Sequence, residues 1–344
     1  MEPRVAPPLS KPRVVVLIPC YNEAASVRDV VKDFRVALPE ARIYVYDNNS
    51  SDGTPQIAAE AGAIVRFETR QGKGHVVRRM LSETDADVYV MVDRDGTYDA
   101  STSAEMVRAL LANRLAMVVG RRVHQSRGAY RRGHVIGNRT LTNAVELLFG
   151  RTFTDILSGY RVFSRAFVKS FPVTSRGFEI ETELTGHALT LNLPAQEIES
   201  SYRVRPAGSQ SKLRTDQDGF RIFGMIVRLF RTERPQLFYS LIGGSLLLAS
   251  VLMAIPIVIT FLETGLVPRF PTAILASALA LSALLSLACG LILDTVTQGR
   301  REAKMLSYMA NTRDQDSCVA EAPEVTRSSS SHNSVVASLT RAHN

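Results

Sequence analysis

The sequence predicts an open, mostly parallel α/β sheet covered by helices on both faces, followed by two membrane-spanning helices. Three features predict this. β-Branched runs alternate with helix-like segments from Arg13 onward. Polar residues gather where those runs end. Two long charge-free apolar stretches follow Leu237. Strand-helix alternation at such spacings favours a parallel sheet with crossover helices. In such sheets ligands bind outside the carboxyl ends of the strands.

The elements run in order. Val14 to Ile18 reads as a strand buried on both faces. In Ala24 to Leu38, Val27, Val30, Val31 and Phe34 recur at helical spacing. Ile43 to Tyr46 is a second strand ending at Asp47. Thr54-Pro55 suits a helix start and Gly62 its end. Ala63 to Phe67 is a third strand. A glycine loop leads to a helix through Val76 to Leu81. Val88 to Val92 is a fourth strand ending at Asp93, and Met117 to Val119 a fifth.

The chain has 344 residues and a net charge of +8, so a catalytic domain plus a smaller unit is expected. The basic balance suits nucleic acid, anionic lipid or phosphorylated substrates, and the apolar stretches turn the choice to lipid rather than nucleic acid. Cys20, Cys289 and Cys318 lack metal-site spacing and read as free thiols of a reducing cytosol. Residues 1–12 form a Pro-rich flexible lead with no signal-peptide core.

No charge occurs between Arg234 and Glu263, or between Arg269 and Asp294. Each stretch exceeds the roughly 20 residues that cross a bilayer. Two transmembrane helices, about 237–261 and 270–293, are therefore expected within residues 235–296. Arg228, Arg231 and Arg234 precede them and Arg300, Arg301 and Lys304 follow. Both ends are thus expected in the cytoplasm, in a multi-pass inner-membrane protein. Residues 214–234 read as an amphipathic juxtamembrane helix with Phe220, Phe223, Val227 and Phe230 on one face. That face suits the headgroup zone or the globular domain. Residues 311–344 are polar and Ser-rich, a disordered tail.

Asp93 and Asp95, one residue apart at a strand end, suit a hard divalent cation that completes its shell with substrate phosphates. Gln71-Gly-Lys-Gly74 offers backbone N–H groups and the Lys73 cation for a phosphate, or is an ordinary turn. It lacks P-loop spacing.

Ile18-Pro-Cys-Tyr-Asn-Glu23, Asp47-Asn-Asn-Ser-Ser-Asp-Gly-Thr54 and Asp93-Arg-Asp95 together resemble family-2 glycosyltransferases of the GT-A fold. More closely, the chain resembles the dolichol-phosphate mannose and polyisoprenyl-phosphate glucose synthases, with residues 13–213 as the catalytic domain. The resemblance implies that Pro19, Tyr21, Glu23, Asp47 and Asp52 line the base and ribose pocket, although Asp-Gly-Thr-Pro also suits a helix cap alone. It implies Mg²⁺ or Mn²⁺ on Asp95 and Asp93. Arg94 between the aspartates, and Thr97 and Tyr98 after them, depart from the usual pattern, and Asp93 could instead meet ribose or sugar. Ser158-Gly-Tyr-Arg161 matches the acceptor segment, below the basic stretch of Arg121, Arg122, Arg127, Arg131, Arg132 and Arg139. Arg122, Ser158 and Arg161 are accordingly expected at the lipid phosphate, Arg161 with the two aspartates as catalytic. Arg203, Arg205 and Lys212 match a segment near the diphosphate and the membrane, and Glu179 and Glu181 also match, one of them, Glu181, being expected to face the sugar. Attraction of any one of these arginines to anionic lipid is an equal alternative.

The expected reaction is inverting transfer from a nucleotide-diphosphate sugar, UDP-glucose first, to undecaprenyl or dolichyl phosphate for cell-envelope glycan or lipid modification. GDP-mannose and UDP-galacturonate are the alternative donors, and a non-catalytic membrane scaffold the alternative class. A processive polysaccharide synthase requires a Gln-x-x-Arg-Trp motif, and the chain has no Trp. Homo-tetramers occur among the proteins it resembles.

Overall fold

The computed structural model describes residues 11–93, 96–124, 153–175, 177, 179–202, 224, 227–267 and 269–312. β1 (Val14–Cys20), β2 (Arg42–Asp47), β3 (Ile64–Phe67) and β4 (Val88–Met91) are joined by α1 (Val27–Ala37), α2 (Thr54–Glu60) and α3 (Lys73–Glu83). Then follow α4 (Thr102–Ala112), β5 (Met117–His124), β6 (Arg161–Ser164), α5 (Arg165–Ser170), α6 (Ile180–Thr190) and β7 (Ala195–Tyr202). The strand order is β3-β2-β1-β4-β6-β5-β7. β1 pairs in parallel with β2 on one side and β4 on the other, so the topology reverses beside β1.

Both faces of the sheet are covered, which explains why β1 reads as one apolar run. Val15 and Leu17 pack with Val76, Val77 and Met80 of α3 and with Phe163, Phe167 and Leu184. Val16 and Ile18 point to the opposite face, against Val27, Val31 and Phe34 of α1 and Met106 and Leu110 of α4. α1 ends at Ala37, where Leu38 leaves helical geometry ahead of Pro39. Gly62 has φ +92°, and a Cβ there would strike the Arg35 guanidinium, which donates to the Gly62 carbonyl at 2.6 Å.

The expected strands are present, and two more join them. β6 runs antiparallel to both β4 and β5. β7 lies at the sheet edge, parallel to β5. β6 has only four residues, and β7 reads AQEIESSY, polar because an edge strand is half-exposed. Neither carries a clear apolar period.

Two helices follow, α7 (Pro235–Thr264) and α8 (Phe270–Thr312), both long and apolar enough to cross a membrane. Only 6% and 17% of their most apolar stretches are buried, unlike core helices of a soluble protein. They pair through small residues. Ala276, Ala283, Gly290 and Thr297 recur every seven residues along the buried side of α8, with Ala276 against Ser250, Ala283 against Gly243 and Gly290 against Gln236 and Tyr239 of α7. A Cβ on Gly243 would lie 3.0 Å from the Ala283 carbonyl oxygen. Ser250 Oγ donates to the Ala276 carbonyl at 2.7 Å, and Ser286 Oγ to that of Tyr239 at 2.9 Å. A seven-residue period and close backbone approach are the means by which helices associate where water supplies no hydrophobic drive.

α8 does not end where the apolar stretch does. Its 43 residues span about 65 Å, roughly twice a hydrocarbon core. Beyond the apolar part it lies on the α/β domain. Met305 and Tyr308 pack on the core, and Ser307 Oγ donates to the Lys169 carbonyl at 3.3 Å. Arg301 donates to the Glu233 carbonyl at 2.6 Å, and the Glu233 carboxylate accepts from Thr190 Oγ1 at 2.7 Å. Residues 227–233 are helical, and Leu229 packs on the core, so this part of the juxtamembrane helix meets the globular domain. Phe220, Phe223 and the expected tail beyond Thr312 lie outside the described residues. Cys20 and Cys289 are free thiols.

His187 is buried on α6, edge-on to Phe167 and Phe171, with Nε2 3.1 Å from Ser170 Oγ. Burial, aided by the charge of Lys304, lowers its pKa to about 3. An unfolded histidine titrates near about 6.5. Between these values the unfolded chain binds the extra proton, so stability is complete above about pH 6.5 and declines as pH falls toward 3. The thermal midpoint in detergent should therefore drop between pH 7 and 4.5, and His187→Phe should flatten that slope. An unchanged slope in the variant would remove His187 as its source.

Candidate active site

The polar ends of β1, β2 and β4 meet the start of β6 at one rim. The β1–α1 and β2–α2 loops are stitched together. Asn22, at φ +50°, accepts from Ser51 N at 2.8 Å through its side chain, and its own N–H donates to Ser50 Oγ at 2.8 Å. Asp52 accepts from Ala24 N at 3.0 Å and from Thr54 N at 3.0 Å, and Thr54 Oγ1 accepts from Glu23 N at 2.9 Å. Asp52 thus clamps the two loops together, and Gly53 is the N-cap residue of α2. Pro19 and Glu23 are buried and Tyr21 is half-buried.

Asp47 ends β2 and is 2% exposed. Its Oδ2 accepts from Ser50 N at 3.0 Å. Its Oδ1 is buried without a hydrogen-bond partner among the described residues. An orphaned buried acceptor costs on the order of 1–3 kcal/mol unless something donates to it. A base N–H or a ribose hydroxyl has the required chemistry. Next to it, Asn48 fixes the β3–α3 loop: its amide donates to the Glu68 and Arg70 carbonyls, each at 2.8 Å, and its oxygen accepts from Gly72 N at 2.8 Å. The Gly72 N–H is therefore engaged within the protein.

That loop delivers Lys73, the first residue of α3, to the centre of the site. Its ammonium lies 2.5 Å from Asp93 Oδ1 and also bonds Glu181 Oε1. The lysine is not a solvated turn residue. Burial works against its charge, but the two carboxylates outweigh it and hold the ammonium above the usual lysine range. Burial pushes the Glu181 carboxyl up. Glu181 is buried in the first turn of α6, whereas Glu179 is exposed, so only Glu181 faces this cluster.

Asp93 is held on its other side by Gly159, where a Cβ would collide with Oδ2. β6 causes this contact. Arg161 pairs with Met91 in antiparallel register, which carries the preceding Ser158-Gly159 turn alongside the end of β4. The Gly159 N–H donates to Tyr98 Oη at 3.0 Å. Tyr98 packs 5.3 Å from the Tyr202 ring, and the Arg122 guanidinium lies 5.7 Å over that ring. A contiguous wall therefore links Lys73 to Arg122.

On this wall Arg122 is bound to Asp155 by two hydrogen bonds of 2.7 and 2.6 Å, with its side chain 21% exposed. Ser158 Oγ is buried and donates to the Gly120 carbonyl at 2.6 Å. Arg161 is fully buried. It donates to the Ser158 carbonyl at 2.9 Å, the Ile156 carbonyl at 2.5 Å and Thr185 Oγ1 at 2.9 Å. Burial pulls its pKa down to about 10, still protonated at neutral pH. Arg161, read from sequence as a phosphate ligand, braces the turn that presents Gly159. Asp155, Gly159 and Asn48 were not singled out from sequence, and Tyr98 was noted only as a departure from the usual pattern. The glycine of Ser-Gly-Tyr-Arg is the one signal that could have been followed, since a glycine there allows close backbone approach.

Asp95, Arg205 and Lys212 lie outside the described residues, as does Arg203. Among the described residues no group of three His, Cys, Asp or Glu side chains could hold a metal. Asp93, 29% exposed, fits a cation that takes one or two carboxylates and draws its other ligands from substrate phosphate. An open groove of about 360 Å³ lined by Tyr44, Tyr46, Arg66, Arg79 and Glu83 shares none of these residues.

The model of the family described as Glycosyl transferase family 2 matches residues 15–171, from β1 to α5. Glycosyltransferase AglJ of Haloferax volcanii is 35% identical over 231 residues, 67% of this chain and 76% of that protein. A dolichyl-phosphate hexose transferase of the same organism is 26% identical over 225 residues, 65% of this chain and 96% of that protein. The fold is similar to a crystal structure of glucosyl-3-phosphoglycerate synthase from Mycobacterium tuberculosis in complex with Mn²⁺, uridine-diphosphate-glucose and phosphoglyceric acid. That likeness has a TM-score of 0.51 at 22% identity, over 64% of this chain and 79% of the other.

Removing the Arg161 guanidinium strands two buried carbonyls. Arg161→Ala should therefore lower unfolding free energy by roughly 3 kcal/mol, read from denaturation in detergent. A variant as stable as the parent would show that the arginine does not brace the turn.

Proposed function

The chain belongs to glycosyl transferase family 2, and we propose that it is an inverting hexosyltransferase that loads a sugar from a nucleotide-diphosphate donor onto a polyisoprenyl phosphate. UDP-glucose is the first candidate donor. The observation that carries the lipid acceptor is α8, one unbroken helix whose bare apolar part suits a bilayer and whose polar end packs on the catalytic domain. The similarity to a dolichyl-phosphate hexose transferase supports the same acceptor. Arginines flanking the hairpin favour a cytoplasmic catalytic domain with both termini on that side of the inner membrane.

The donor's base and ribose would meet Tyr21, Glu23 and the unpartnered Oδ1 of Asp47. Its diphosphate would lie at Lys73 and Asp93, joined by Asp95, Arg205 and Lys212. Mg²⁺ or Mn²⁺, on Asp93 and Asp95, would supply neutralisation of the charge that builds on the departing nucleotide. Glu181 would face the sugar. The acceptor phosphate would approach Arg122, whose side chain stays partly exposed beside its ion pair with Asp155. Ser158 and Arg161 would act through the turn they hold.

A phosphate oxygen is already anionic near neutral pH, so a strong general base is unnecessary. The protein's task is alignment and charge stabilisation. The acceptor oxygen forms a bond to the anomeric carbon as the bond from that carbon to the diphosphate oxygen breaks, its electron pair leaving with the nucleotide. Attack from the opposite face converts an α-linked donor into a β-linked lipid phosphate sugar.

The test is to incubate the purified protein in proteoliposomes with radiolabelled UDP-glucose, GDP-mannose or UDP-galacturonate and undecaprenyl phosphate. Label from one donor should enter the organic phase as a β-linked product. Transfer to a water-soluble acceptor such as phosphoglyceric acid, with none to lipid, would overturn the acceptor. Asp93→Asn and Gly159→Ala should each cut turnover roughly 100-fold, the second by displacing Asp93 with the fold retained.

A further inference from the structure

We propose that Lys73 is a built-in counter-cation that holds Asp93 when no nucleotide is bound and must yield that carboxylate before a divalent metal can load. The inference rests on the nucleotide-sugar reading above and adds a rule to it: metal entry is coupled to donor entry by displacement of an ammonium group.

The geometry makes the two arms of the bridge unequal. Lys73 and Glu181 side chains are each 6% exposed, while Asp93 is 29% exposed. The Lys73–Glu181 arm is thus the deeper of the two, and the Lys73–Asp93 arm the one nearer solvent. Asp93 Oδ2 occupies the space that a Cβ on Gly159 would take, so that oxygen lies against the Gly159 backbone. Oδ1, the oxygen on the ammonium at 2.5 Å, is consequently the one that lysine and metal both require. A divalent ion and an ammonium on one carboxylate oxygen repel strongly in a partly desolvated site. Metal alone therefore competes with Lys73.

A nucleoside diphosphate changes the balance. Its phosphates supply further ligands to the metal and a new anionic partner for the ammonium, so Lys73 can leave Asp93 without losing its charge compensation. Glu181 retains the lysine throughout and keeps it within reach of the phosphates. A buried ion pair with no such role would neutralise Glu181 and leave metal affinity indifferent to the charge at position 73.

The experiment measures Mn²⁺ binding to the full chain in detergent, from the electron paramagnetic resonance signal of free Mn²⁺, alone and with UDP or GDP. The parent should bind Mn²⁺ weakly alone and more tightly with one nucleotide. Lys73→Met should bind Mn²⁺ alone about tenfold tighter than the parent, with less gained from the nucleotide. Lys73→Arg, which keeps the charge, should stay near the parent. If Lys73→Met fails to fold, Lys73→Gln, which keeps a donor for both carboxylates, is held to the same criterion. Affinity for Mn²⁺ alone that is unchanged or weaker in the neutral variant would overturn the displacement rule, while nucleotide-dependent Mn²⁺ binding by the parent would leave the donor reading intact. A parent that binds neither Mn²⁺ nor nucleotide would overturn both.

Discussion

One ammonium group out of water organises the rim of this protein. Lys73 begins α3, Asp93 follows β4 and Glu181 lies in the first turn of α6, so three elements distant in sequence converge on a single charge. Isolating such a charge from solvent is costly unless carboxylates surround it. The requirement runs outward from there. Asn48 must fix the loop that aims Lys73, and Gly159 must lack a side chain for Asp93 to lie where it does. The polar rim is thereby an extension of the packing of the sheet.

Much of the first half of the fold was legible because its strands are buried on both faces and its helices carry an apolar stripe. Val27, Val30, Val31 and Phe34 face the core as their spacing indicates. The positions of Asp47 and Asp93 at strand ends followed from the parallel topology. What could not be read was β6. Four residues have no measurable period, and their direction depends on pairing with strands far away in sequence. Because β6 sets the place of Ser158, Gly159 and Arg161, the roles of those residues were out of reach too. An arginine in a basic stretch reads as a ligand for anions; only the pairing register reveals that Arg161 points inward and satisfies backbone carbonyls.

The wall from Tyr98 through Tyr202 to Arg122 has a division of labour. The tyrosines are held by ring contacts and by the Gly159 hydrogen bond, and the arginine by Asp155. A guanidinium held along its Nε–Nη2 edge by one carboxylate loses little freedom when an anion arrives, which favours a preset orientation over a flexible reach.

The far end of α8 bears on whether the catalytic half has any autonomy. Met305 and Tyr308 cover part of the apolar core, the helix running against α5, and Arg301 closes the join at Glu233. A chain shortened after the apolar stretch would lose more than an anchor: it would bare a greasy scar on the globular half. Trimming there would exchange a membrane segment for newly bared apolar surface on the globular half.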